Sequence, residues 1–188
     1  MDMNTKLKKN QYVTQKELCQ ILGICKSTAY KLQRKGIISF EYENTCKGRR
    51  QKICTNEIQN YVIRKEYYLE EGSEFTEMLA FYFQEQLSHY SSLLSVADII
   101  RFTGYSKSAI NNWVLQGHLP SLNYQGKRIK SFKQGKGSLI TKEMMVFFLS
   151  RTYYRRIVRK TQIHKNQEND CIQLYVTFRS LKGAQKNG

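Results

Sequence analysis

The chain lacks the marks of a membrane protein, a metal centre or a hydrolase. No stretch approaches the roughly 18 uninterrupted apolar residues of a membrane span. Residues 1–10 are polar and lysine-bearing with no apolar run after them, so a cytoplasmic location is expected. Five cysteines (Cys19, Cys25, Cys46, Cys54, Cys171) make an odd number; none are spaced as C-x-x-C or grouped with the three histidines, His89, His118 and His164. A disulfide framework or a structural zinc is therefore not expected, and buried or incidental thiols are preferred over a metal shared by Cys46 and Cys54. No Walker loop, H-E-x-x-H motif or G-x-S-x-G motif occurs. No cofactor is expected.

Acidic residues are scarce too. Fifteen Asp and Glu stand against 31 Lys and Arg among 188 residues, a formal charge of +16, while 40% hydrophobic and 12% aromatic content suffices for packed cores in one domain or two small ones. The imbalance is uneven. Residues 1–65 carry 14 basic and 5 acidic side chains and residues 91–160 carry 13 and 2, whereas residues 66–90 hold six Glu and neither Lys nor Arg. Two basic lobes divided by an acidic segment suggest two surfaces that each meet a polyanion. Nucleic acid is the expected partner. An anionic membrane would want an amphipathic helix with its cations on one face, and only residues 151–160 come near that.

The chain also matches itself. At an offset of 81 residues Val13-Thr14 falls on Leu94-Ser95, Glu17-Leu18 on Asp98-Ile99, Gly23 on Gly104, Lys26-Ser27 on Lys107-Ser108 and Gly36 on Gly117. After a variable stretch the offset becomes 86, with Thr55 on Thr141, Glu57 on Glu143, Tyr61-Val62 on Phe147-Phe148 and Tyr67-Tyr68 on Tyr153-Tyr154, which gives the second copy five extra residues.

Each copy opens with a capping box, Thr14 with Glu17 and Ser95 with Asp98, which predicts a helix over about residues 15–22 with Leu18, Ile21 and Leu22 inward, and Ile99, Ile100 and Thr103 in its counterpart. Gly23 and Gly104 stop these helices. Second helices follow at about 26–35 and 107–116, with Ala29 and Leu32, or Ile110 and Trp113, inward. Two short β-prone runs around a Lys-Gly-Arg-Arg tip then predict a hairpin, longer and more basic in the second copy, and third helices start at Thr55 and Thr141. Helix, turn, helix and hairpin make a winged helix. The expected fold is mainly α with small β-hairpin wings: two tandem winged helix-turn-helix domains, 1–65 and 91–160, joined by a helical linker, 66–90. In that linker Phe75, Met78, Leu79, Tyr82, Phe83 and Leu87 form an apolar stripe that packs between the domains or against its copy in a second molecule. In the tail, 161–188, Ile172, Leu174, Val176 and Phe178 alternate with Cys171, Gln173, Tyr175 and Thr177, which predicts a strand.

At L-G-I-C-K-S-T-A-Y-K-L-Q-R-K-G-I-I, residues 22–38, the sequence resembles the excisionase-type winged helix-turn-helix, a branch related to the MerR regulators. The second copy, T-G-Y-S-K-S-A-I-N-N-W-V-L-Q-G-H-L-P, keeps the frame and replaces the Tyr-Lys pair with Asn111-Asn112. The resemblance covers about 12–65 and 93–152. It implies a recognition helix in the major groove and a wing on the neighbouring minor groove or backbone. By position, Lys26, Ser27, Thr28, Tyr30, Lys31 and Arg34 are the expected DNA-facing residues of the first copy, with Arg49 and Arg50 on its wing. In the second copy they are Lys107, Ser108, Asn111 and Asn112, with Lys127, Arg128, Lys130, Lys133 and Lys136 on the wing. Cations suit phosphates or guanine, and asparagine suits adenine. Either the second copy reads bases through these amides or it binds by its wing alone.

The implied role is sequence-specific binding of double-stranded DNA on adjacent half-sites, as an excisionase-like accessory factor or transcription regulator of a mobile genetic element, with a recombinase or other element-encoded protein as a further partner. Homo-oligomers and nucleoid association fit the same role. The alternative is an assembly protein of phage packaging or plasmid partition that binds DNA mainly through charge. No enzyme is expected. Tyr67-Tyr68 and Tyr153-Tyr154 lack the histidine cluster of relaxases and the Arg/His constellation of tyrosine recombinases, and are read as packing inherited through duplication.

Overall fold

A computed structural model describes residues 11–46, 48–122 and 139–185. They form a mainly helical chain whose sheets are small and antiparallel. The chain divides into two compact units, Met1–Glu66 and Tyr67–Gly188. From Tyr67 onward, the residues read as a linker therefore belong with the second basic lobe.

The first unit contains β1 (Tyr12–Val13), α1 (Gln15–Leu22), α2 (Lys26–Arg34), β2 (Glu41–Thr45), β3 (Gly48–Cys54) and most of α3 (Thr55–Leu69). The capping box is present: Glu17 N–H donates to Thr14 Oγ1 at 3.3 Å, and Thr14 N–H to Glu17 Oε2 at 2.7 Å. Gly23 then turns the chain at φ 63°. At the end of α2, Ile37 N–H donates to the Leu32 carbonyl at 3.0 Å and Gly36 N–H to the Gln33 carbonyl at 2.9 Å, the paired bonds of a Schellman ending. β3 is the middle strand of a sheet ordered β1-β3-β2. Val13, Leu18, Ala29, Ile38, Ile53 and Ile58 fill the core between sheet and helices.

The second unit contains α4 (Ser73–Gln86), β4 (Leu93–Leu94), α5 (Val96–Thr103), α6 (Lys107–Leu115), β5 (Ile140–Thr141), α7 (Lys142–Ser150), α8 (Thr152–Arg155) and α9 (Gln162–Gln185). The same bonds recur in it. Asp98 N–H donates to Ser95 Oγ at 3.2 Å and Ser95 N–H to Asp98 Oδ2 at 3.0 Å. His118 N–H reaches the Trp113 carbonyl at 2.9 Å and Gly117 N–H the Val114 carbonyl at 3.1 Å. Gly104 sits at φ 73°, a left-handed conformation that favours glycine, and a Cβ there would press on Thr161 Oγ1 at 3.1 Å. On α5, Phe102 joins Ile99 and Thr103 in the core, while Ile100, expected there, is 36% exposed.

These bonds correct the register of the repeat. Thr55 N–H donates to the Gln11 carbonyl at 3.1 Å, and its counterpart is Lys142 N–H to the Ser92 carbonyl at 3.0 Å. Strand pairing agrees, with Tyr12↔Cys54 matched by Leu93↔Thr141. After the hairpin the offset is thus 87, Thr55 to Lys142, and the second copy has six extra residues rather than five. The two threonines matched as letters but not as roles: Thr55 opens α3, whereas Thr141 caps α7 by accepting from Met144 N–H. In the corrected register Ile58 meets Met145 and Tyr67 meets Tyr154, and every one of these is buried. The antiparallel bridge Leu122↔Leu139 stands where Glu41↔Lys52 stands at the root of the first unit's hairpin.

The expected tail strand is a helix. α9 buries His164, Glu168, Cys171, Ile172, Tyr175 and Phe178, at steps of three and four that only a helix brings to one side, and packs on α4 and α5. Leu174 and Val176, inward in the strand reading, are half-buried and 36% exposed. α4 is helical as expected, with Phe75, Leu79, Phe83 and Leu87 buried.

α9 also carries a buried polar cluster. His164 Nδ1 lies 2.7 Å from Tyr105 Oη, and its ring stacks on Tyr154 at 4.0 Å. One turn on, Glu168 pairs with Lys160 and accepts from the Tyr68 hydroxyl. Burial, and then the charge of Lys160, pull the imidazole pKa down to about 3. An unfolded histidine titrates near 6.5, so below that pH protons favour the unfolded chain. Stability is expected to be complete above pH 6.5 and to fall toward pH 3 by up to about 1.4 kcal/mol per pH unit from this group. His164→Gln, compared with the parent by denaturant unfolding at several pH values, should flatten that slope; parallel slopes would contradict the assignment.

Candidate functional site

α2 presents one continuous polar face. Ala29 and Gln33 point inward, which leaves Lys26, Ser27, Thr28, Tyr30, Lys31 and Arg34 exposed, Tyr30 to 58%. In α6 the inward residues are Ile110, Trp113 and Val114, and Lys107, Ser108 and Asn112 are exposed with Asn111 half-buried. The corresponding positions differ in charge: where α2 has Lys31 and Arg34, α6 has Asn112 and Leu115, the last 48% exposed.

A polar seam missed by the sequence reading fixes α2. Gln33 is buried, accepts from Gln15 Nε2 at 3.4 Å and donates to Gln51 Oε1 at 3.5 Å, joining α1, α2 and β3. Val96 and Val114 replace Gln15 and Gln33 in the second unit, so the junction there is apolar. The only signal available in sequence was a glutamine at an inward helical position.

Arg49 and Arg50, read together as a wing tip, are adjacent in β3 and so point to opposite faces of the hairpin. Arg49 shares its face with Gln51 and Ile53, the side turned to α2, and its guanidinium lies over the Tyr42 ring at 5.6 Å. Arg50 stands opposite Glu43 on the other face. There Lys52 pairs with Glu43 at 2.7 Å and lies over Tyr12, and Glu17 lines the same hollow. Arg50 thus lies among carboxylates and Arg49 does not. Cys46 lies in the turn before β3 and Cys54 ends the strand, whose rise from Gly48 to Cys54 is roughly 20 Å, so the two thiols do not meet.

No protein-family model, curated protein or solved structure matches this chain. Among the described residues no helix is long and apolar enough to cross a membrane, and no three His, Cys, Asp or Glu gather as for a metal. Lys127, Arg128, Lys130, Lys133 and Lys136, expected on the second wing, lie outside the described residues. Of the doubled tyrosines, Tyr67 and Tyr154 are core residues whose hydroxyls burial pushes far above the usual range. Tyr68 donates to Glu168, and Tyr153 stacks on His118 at 3.5 Å.

At the head of α2, Cys25 holds the cap position taken by Ser106 in α6. Its exposed Sγ lies 3.1 Å from Ser27 Oγ and 3.2 Å from Thr28 Oγ1. Those hydroxyls, with the amides of the first turn, lower the thiol pKa to about 6. Cys25 is therefore expected to be alkylated faster at pH 7 than exposed Cys46, as read by peptide mapping, and Ser27→Ala should slow it several-fold. Equal rates at the two thiols would contradict this cradle.

Proposed function

We propose that this chain is a double-stranded DNA-binding protein with two winged helix-turn-helix modules, in which α2 and α6 each enter the major groove of one of two adjacent half-sites and the wings lie alongside. The observation that carries the reading is the recurrence, in both units, of capping box, glycine turn, exposed polar second helix, Schellman ending and hairpin root, in a chain of charge +16 whose basic residues concentrate in those two segments. A solvated positive surface without a partner gives no reason for the same frame to be kept twice around an outward polar helix. Half-sites about one helical turn apart, or a multiple of it, suit two modules on one chain. By its resemblance the role is an excisionase-like accessory factor or a transcription regulator of a mobile element.

The reading is tested by selecting bound sequences from a random duplex library at about physiological salt, where non-specific binding is weak. A motif with two unlike half-sites is expected, because α2 offers cations and α6 offers amides. Recovery of no motif, with binding abolished by modest salt, would replace specific recognition by the assembly role. Lys31→Ala or Asn111→Ala should reduce preference for the selected site more than affinity for random DNA. The hairpin separates the two arginines as well. Arg49→Ala is expected to lower the salt slope of binding by about one unit, the loss of one phosphate contact, and Arg50→Ala to change it little. Equal effects would show that the facing of β3 does not govern contact.

A further inference from the structure

The outer side of the α4–α7 pair carries an open apolar groove of about 390 Å³, with Ala80, Val146 and Phe147 on its floor. Phe147 is 47% exposed, and Phe81, beside Ala80 on the outer face of α4, is 66% exposed. The other described phenylalanines are buried or half-buried, and an exposed apolar patch of this kind marks an interaction surface.

The charges around the groove say what covers it. Lys142 Nζ donates to the Ser88 carbonyl, which places the start of α7 beside the end of α4, so the two helices run antiparallel. Lys142 and Glu143 therefore mark one end of the groove, and Glu77 and Arg151 the other. Each end carries one acid and one base. In a chain of net charge +16, two copies repel each other over most approaches. Here the rim is electrically neutral and its ends are mutually complementary.

We infer that this groove is a self-association surface, occupied by the same face of a second copy of this chain. A twofold axis across the groove sets Glu77 against the partner's Lys142 and Arg151 against the partner's Glu143, and lays each Phe81 on the apolar floor of the other protomer. Such an interface is isologous: one patch serves both sides. α4, about 21 Å long, and α7, about 14 Å long, each about 10 Å wide, offer roughly 350 Å² a side, less than half of what a stable complex buries. The dimer is therefore a concentration-dependent one. The inference stands apart from DNA binding, since none of these residues belongs to α2, α6 or the hairpins.

Sedimentation equilibrium of the full chain, freed of nucleic acid at high salt, tests it. The parent should pass from monomer to dimer with rising concentration, and Phe81→Glu should weaken the association at least about tenfold while leaving the circular dichroism unchanged. At about 0.15 M salt, Glu77→Lys should weaken it and Lys142→Glu in the same chain should restore it. A parent that stays monomeric at every concentration overturns the inference. A dimer indifferent to Phe81→Glu, or a charge reversal that fails to recover, overturns it equally.

Discussion

In each unit a backbone amide at the start of the third helix binds the carbonyl just before the first strand: Thr55 to Gln11, and Lys142 to Ser92. This bond closes the chain between them into one loop and fixes which residue of the strand before that helix faces Val13 or Leu94. It does not hold the loop shut alone. Closing 44 residues costs roughly 3 kcal/mol plus a constant in chain entropy, and one such bond contributes about 1 kcal/mol. Burial of Val13, Ile53 and Ile58 beside it contributes on the order of 2 kcal/mol each, so apolar packing closes the loop and the bond sets its register. The same arithmetic explains why the second hairpin region can be longer. Six added residues raise the logarithmic closure cost by only about 0.1 kcal/mol.

Legibility in the sequence followed the range of the interactions. The capping boxes, the glycine turns, the inward Leu18, Ala29, Ile99, Ile110 and Trp113, and the first hairpin depend on neighbours within one or two turns, and the pattern of residues discloses them. The offset after the hairpin was misread by one because Thr55 and Thr141 are identical residues in different roles, a difference that strand pairing reveals and identity conceals. The tail was misread because Ile172, Leu174, Val176 and Phe178 alternate as a strand does. The side that is buried begins earlier, at His164 and Glu168, and polar residues are not counted when an apolar face is sought. Their burial is supported by Tyr105, Tyr68 and Lys160, from up to 100 residues away in sequence.

On the candidate surface, the exposure of Lys26, Tyr30, Lys31 and Arg34 was legible from helical spacing alone. The facing of Arg49 and Arg50 was not. It depends on the register of β3 against β2, and a shift of one residue exchanges the two. Gln33 was hidden for a different reason. A glutamine at an inward position has no place in an apolar pattern until Gln15 and Gln51 are brought to it by the fold.

The two units keep one frame and differ in what they place on it. In the first, α2 packs on the core through Ala29 and Leu32, with the amide seam of Gln15, Gln33 and Gln51 beside them, and presents cations outward; in the second, α6 is seated by Ile110, Trp113 and Val114 and presents amides. A helix with a seam of long, weak side-chain bonds of 3.4 and 3.5 Å along part of its seat adjusts by small shifts more readily than one seated throughout by interlocked apolar side chains, which cannot move without opening a cavity. Phosphate contacts tolerate such shifts because charge attraction falls off slowly with distance. Amide contacts to a base edge do not, because hydrogen bonds lose strength steeply with misalignment. In the proposed reading, then, the firmer seat lies under the helix with amides and the more yielding one under the helix with cations, which is the allocation that geometry-dependent readout in one module and charge-dependent anchoring in the other favours.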